Sequence, residues 1–242
     1  MELIKGPNRR VHVLSPQEWT TKPGTDFWFL VSQNGMFGAG NAHELADFGW
    51  TTTGLTLTSA VGAADLLDPT DVGTPAGITL ADASDLLTCP AVFGDYAHGL
   101  MAQAFLGYFP QTLNLEVYAS FTAAAANETA TGFGLTEDGG TATTAADNLA
   151  FIVSDGTNIA MIGNNAGTTD TGPTVAAAGA TPHLYKIQIK AGTPTSAEWF
   201  YDGTSQGTVT MVEDEYPVKF SACVQAAGAN DIVIHWVHVW YE

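Results

Sequence analysis

The chain has 242 residues, enough for a single well-cored domain, and 26 of them are glycine. Its 25 Asp and Glu outweigh seven Lys and Arg for a formal net charge of −18, and the stretch from Pro23 to Tyr185 carries 16 acidic residues and no basic one. Such a body has no cations with which to displace counterions from phosphate, and an anionic membrane surface repels it, so nucleic acid and membrane are both excluded as partners.

Four of the seven basic residues, Lys5, Arg9, Arg10 and Lys22, lie in the first 22 positions. Residues 1–24 therefore read as an extended basic arm, and 25–242 as one domain. The start Glu2-Leu-Ile-Lys-Gly-Pro lacks the apolar stretch of a secretory signal, and no segment reaches the ~20 apolar residues of a membrane span. The run Asp26 to Val31, bounded by Pro23-Gly24 and Asn34-Gly35, suits a strand that ends in a turn, and Leu55 to Thr58 alternates as another. Around 60–110 the chain reads as a loop-rich insertion, broken by Asp65, Pro69, Gly73, Pro75 and Gly77, with one short strand at Ile78 to Leu80.

From Leu113 the period-two pattern strengthens. Leu113, Leu115, Val117, Ala119 and Phe121 fall on one face of a strand, and Gly132 to Leu135 begins the next. Leu149 to Val153 and Ile159 to Ile162 form a hairpin across Asp155-Gly156, followed by a Gly, Thr and Ala-rich loop from Gly163 to Thr181. Tyr185 to Lys190 alternates cleanly. Glu198 to Tyr201 runs into Asp202-Gly203, whose tolerance of positive φ turns the chain back toward Gly207-Thr208-Val209. Cys223 alternates with Ala222 and Val224 and reads as a buried free thiol, with Cys89 far off in sequence. The last strand, Asp231 to Tyr241, is apolar on both faces and belongs inside a sheet.

Three segments carry a family resemblance: HLYKIQIK, EWFYDGTSQGT and NDIVIHWVHVWYE. This order of a strand, an aromatic strand ending in Asp-Gly and a closing hydrophobic strand resembles the concanavalin A-like jelly-roll family of lectins, laminin-G-like modules, β-glucanases and viral structural proteins. The resemblance spans Leu113 to Glu242. It implies an all-β, concanavalin A-like jelly-roll β-sandwich, and says little about function.

Glycoside hydrolases on this fold carry a Glu-x-Asp-x-x-Glu strand, which is absent here. Glu213-Asp214-Glu215 and Glu137-Asp138 read as solvated turns. His235 and His238 are three apart, which on a regular strand puts them on opposite faces and prevents a shared metal. Asp147, Asn148 and Asp155 offer oxygens near one hairpin and read as turn residues rather than calcium ligands. Trp199, Tyr201, Trp236, Trp240 and Tyr241 would suit a sugar platform, but Trp236 and Trp240 share a face with Ile232 and Ile234 and so read as core. No phosphate loop or nucleophile elbow occurs.

These readings lead to the expectation of a protein that is not an enzyme and needs no cofactor or metal: a bacteriophage capsid decoration or fibre-like protein on the virion. Its basic arm, through Lys5, Arg9, Arg10 and Lys22, would dock on the major capsid protein or another virion protein. Sister copies would form a homo-oligomer, a trimer at the three-fold sites of a shell. The alternative is a lectin-like module that binds glycans on a rim made by Gly163 to Thr181 and Thr204 to Gly207. A third reading, a divergent glycosidase, demands a sheet face lined by at least two carboxylates.

Overall fold

The computed structural model describes residues 2–6, 9–12, 27–30, 51–53, 56–58, 61–62, 73–74, 77–81, 85–88, 112–121, 131–136, 148–165, 168–176, 179–190, 196–210, 219–224 and 232–241. Its strands, numbered β1 to β19 along the chain, build two antiparallel sheets. The first sheet runs β17 (Thr204–Thr210), β16 (Ser196–Tyr201), β15 (His183–Ile189), β10 (Leu113–Phe121), β19 (Ile232–Tyr241), β8 (Gly77–Leu80), β5 (Thr56–Thr58), and β3 (Phe27–Leu30) also pairs with β19. The second runs β14 (Thr168–Ala176), β13 (Asn158–Asn165), β12 (Asn148–Ser154), β11 (Gly132–Thr136), β18 (Lys219–Val224), β9 (Asp85–Thr88), β4 (Thr51–Thr53). Two small hairpins stand outside these sheets: β1 (Glu2–Gly6) with β2 (Arg9–His12), and β6 (Val61–Gly62) with β7 (Gly73–Thr74). The molecule is a jelly-roll β-sandwich, as the sequence pattern predicts, and β19 is an interior strand with β10 on one side.

The inner faces interlock through the alternating residues of each strand. Leu113, Leu115, Val117, Ala119 and Phe121 of β10 are all buried, together with Tyr185, Ile187 and Ile189 of β15 and Trp199 of β16. Aromatic rings pin the centre: Phe121 stacks on Phe133 at 5.3 Å, and Tyr185 meets the two edge-on at 5.7 and 5.3 Å. The second sheet is apolar on its other face too, where Leu86, Phe151, Val153, Ile162 and Cys223 form a separate buried cluster. On that face the Phe151 side chain lies against two glycines of β11. A Cβ on Gly134 would meet the backbone oxygen of Ala150 and come within 2.7 Å of the Phe151 Cα, so this strand needs glycine there for close approach.

Cys223 is the buried thiol the sequence suggests, and Cys89 lies outside the described residues. Burial pushes the Cys223 thiol up to about 12, so at neutral pH it holds its proton and is a poor nucleophile. In a Cys89→Ser background, a thiol reagent at pH 8 is expected to leave the native protein unlabelled and to react fully once denaturant is added. Rapid labelling of the native protein would contradict this.

Two stretches differ from expectation. The segment read as a loop over Gly163 to Thr181 contains β14, a nine-residue strand paired with β13. Its Thr171, Pro173 and Thr174 are exposed because β14 is an edge, so the apolar alternation that marks a half-buried strand is absent. Asp170 closes this edge onto the other sheet, its Oδ2 accepting from the Thr210 backbone N at 2.6 Å. Around 60–110, β6, β7 and β9 join the expected short strand, and β9 enters the second sheet between β18 and β4.

The decisive irregularity lies in β19. Its register with β10 steps from Trp236 opposite Tyr118 to Ile234 opposite Ala119, which leaves His235 as the extra residue of a β-bulge. Before the bulge Ile232 and Ile234 face the core, and after it Val237 and Val239 do. The phase therefore reverses, and Trp236, His238 and Trp240 turn to the opposite, outward face. Reading these two tryptophans as core was wrong for this reason. Deleting His235 would remove the extra residue and leave a regular strand in which Ile232, Ile234, Val237 and Val239 still face the core and Trp236, His238 and Trp240 still face outward. The variant is expected to keep a cooperative thermal transition, and loss of cooperative unfolding would contradict the assignment.

Candidate functional site on the outward face of the first sheet

Register alone assembles the site. Residues directly opposite on neighbouring strands share a face, so the outward row through the middle of the sheet reads His238, Glu116, Lys186, Phe200 across β19, β10, β15 and β16. In β3, Trp28 is registered opposite His238. The next row carries Trp240, Asn114, Gln188 and Glu198, and the row on the other side carries Trp236, Tyr118 and Leu184. Four aromatic side chains from three strands, Tyr118, Phe200, Trp236 and Trp240, thus stand among charged and amide groups, all four half-buried.

The contacts bind these rows into one surface. His238 stacks on Trp240 with centroids 4.1 Å apart and planes 16° from parallel. The Lys186 ammonium lies over two rings, 5.1 Å from the Trp240 centroid and 5.6 Å from that of Phe200. Tyr118 stacks on Trp236 at 5.9 Å. Gln188 Nε2 donates to Asn114 Oδ1 at 2.9 Å.

Two carboxylates occupy this face and differ in role. Glu198 accepts from Lys190 Nζ at 2.8 Å and from Ser205 Oγ at 2.7 Å. The Lys190 hydrogen bond foremost, then that of Ser205, holds its carboxyl below the usual range, so Glu198 is a fixed, neutralised anion. Glu116 is engaged more loosely: its Oε2 lies 3.7 Å from His238 Nδ1, with one fifth of its side chain exposed. A carboxylate next to an imidazole is a pair able to accept and donate protons. Burial, and secondarily the negative charge of Asp202, raises the Tyr118 phenol, so it stays protonated as a donor.

One end of the face is braced by the predicted Asp-Gly turn. Asp202 and Gly203 both have positive φ, 48° and 78°, as a tight hairpin requires. The Asp202 carboxylate then ties the turn to β15: Oδ1 accepts from Leu184 N at 2.9 Å, and Oδ2 is hydrogen-bonded to His183 Nδ1 at 2.6 Å.

The other residues singled out from sequence lie elsewhere. Lys5 and Arg10 are direct partners in the β1–β2 hairpin, Arg9 sits opposite Gly6, and Lys22 lies outside the described residues. Glu213 to Glu215, Glu137, Asp138 and Asp147 also lie outside them. Asp155 caps its own hairpin, its Oδ1 accepting from Thr157 N at 2.8 Å and Asn158 N at 2.6 Å. Trp199 is core, at 0 % exposure, and Thr204 to Gly207 belongs to strand β17 rather than a loop rim. His235 and His238 do not part to opposite faces: His235 lies 5.4 Å from the Tyr118 ring, on the outward side, because the bulge absorbs the odd spacing.

No family model and no curated protein matches the chain. Solved structures do. The carbohydrate esterase of the Shiga toxin-encoding bacteriophage phi24B superposes with a TM-score of 0.56 at 15 % identity, over 90 % of this chain and 98 % of that one. A protein of unknown function from Shewanella oneidensis MR-1 gives 0.51 at 14 % identity over 91 % and 87 %. The binding domain of botulinum neurotoxin serotype D gives 0.53 at 7 % identity, over 88 % of this chain and 47 % of that one. The likeness is one of fold.

It nonetheless corrects one expectation. The exclusion of enzymatic activity rested on a missing Glu-x-Asp-x-x-Glu strand, yet a carbohydrate esterase has this same sandwich, so that absence does not decide the question. The outward face removes the remaining support for the exclusion, since it carries two carboxylates and a Glu116–His238 pair where an apolar or Thr-lined face would have argued against catalysis.

Proposed function

We propose that the outward face of the first sheet binds carbohydrate. The carrying observation is the set of four half-buried aromatic side chains interleaved with Glu116, Lys186, Gln188 and His238 on four adjacent strands. A sugar has apolar C–H faces and a polar rim, so a surface that recognises it needs flat rings for the first and fixed charged and amide groups for the second. Glu116 and His238 add groups able to move a proton in a bound sugar. The carbohydrate esterase with this fold supports the reading. A glycan array, read for both retention and turnover, is expected to return at least one glycan class, and silence across the array would overturn the reading.

A virion location is favoured by one observation, the bacteriophage origin of that esterase. In this setting the basic N-terminal segment with Lys5, Arg9, Arg10 and Lys22 docks on a capsid surface and the sandwich presents its sheet face outward. Removing residues 1–22 is expected to abolish co-sedimentation with capsids; unchanged co-sedimentation would eliminate the docking role.

A further inference from the structure

Lys186 is the unusual charge of the outward face. Between Pro23 and Tyr185 the chain has no cation, so Lys186 is the first after a long acidic stretch, and Lys190 follows it four positions on. Lys190 is neutralised by Glu198 at 2.8 Å. Lys186 instead places its ammonium over the rings of Trp240 and Phe200; Glu116 is registered opposite it and Glu198 feels its charge, but among the described residues neither forms a salt bridge with it. Its side chain is half-buried, so the charge is partly desolvated and held at the middle of the aromatic surface.

From this we infer that the face selects sugars that bear a carboxylate, the uronic and sialic acids, with Lys186 as the specificity-determining residue. The inference rests on the carbohydrate-binding reading of the same face. In the free protein the ammonium occupies the ring face of Trp240 through a weak cation–π contact. An acidic sugar replaces that contact with two better ones: its C–H face takes the ring, and its carboxylate takes the ammonium in a charge-assisted hydrogen bond. A neutral sugar offers the displaced ammonium only hydroxyl oxygens, weaker acceptors without the opposite charge, which is discrimination by an uncompensated charge. The net charge of −18 does not forbid an anionic ligand: at physiological ionic strength a screening length of about 8 Å removes the distant acids, and of the two carboxylates on this face Glu198 is paired with Lys190 and Glu116 lies beside His238.

The test uses a panel of uronate- and sialate-bearing oligosaccharides, each paired with its carboxyl-reduced form, titrated into the full-length protein and into Lys186→Met and Lys186→Arg. The expected result is that at least one acidic member binds, that its reduced form binds on the order of tenfold more weakly, and that Lys186→Met erases this difference while Lys186→Arg keeps most of it. Retained binding of reduced sugars by Lys186→Met shows that the variant is folded. Equal binding of acidic and reduced forms by the wild type would overturn the inference and leave the carbohydrate-binding reading standing. Failure of both forms across the panel would overturn the two together.

Discussion

Trp199→Ala is expected to destabilise the protein by about 3–5 kcal/mol, the range for deleting a large ring from a packed core. Trp199 is fully buried between the sheets, in the cluster that also holds Tyr185, Ile187 and Val209. For a domain of this size that loss lowers the melting temperature by on the order of 10 °C, which scanning calorimetry would read directly. A fall of only a degree or two would mean that the ring is not in the core. Trp199 is adjacent in sequence to the outward Phe200, so the pair tests which face of β16 is inside.

The double variant Trp236→Ala, Trp240→Ala is expected to do the reverse. Both rings are half-buried on the outward face, so their removal deletes the Tyr118 and His238 stacking partners and leaves the packed inner layer in place. The stability cost is about 1–2 kcal/mol, in the ordinary range for substitutions outside the core. Affinity for the bound glycan should fall on the order of 100-fold, since rings at the centre of a binding surface carry most of its energy. Calorimetric titration beside a thermal melt separates the two effects. A large loss of stability with unchanged affinity would return these tryptophans to the core.

Much of the fold was legible because its strands obey simple alternation. Leu113 to Phe121 and Tyr185 to Ile189 show the period-two pattern without interruption, and Asp202-Gly203 announces its turn through the backbone conformation it permits. β14 was hidden because Thr168 to Ala176 forms an exposed edge and has no apolar face to alternate. The site was hidden for a subtler reason. Trp236, His238 and Trp240 were visible as residues, but their face depends on one inserted residue, and a bulge at His235 leaves no mark in an apolar run such as Ile-Val-Ile-His-Trp-Val-His-Val-Trp. Counting by twos from Ile232 put every one of them in the core. The partners Glu116 and Lys186 lay on the polar sides of two well-read strands, and only sheet order brings β10 and β15 side by side. What the sequence does offer is the density of aromatics and histidines after Ile234, too many polar ring nitrogens for a dry interior.

The central claim is that the bulge in β19 turns Trp236 and Trp240 outward to form a carbohydrate-binding face. Its most direct test is a titration followed by the indole N–H resonances of the six tryptophans in nitrogen-15-labelled protein, assigned by single substitutions. With a glycan found to bind, the signals of Trp236 and Trp240 are predicted to move with the titration while that of Trp199 stays fixed. A glycan that binds and leaves both outward indoles unmoved would contradict the account.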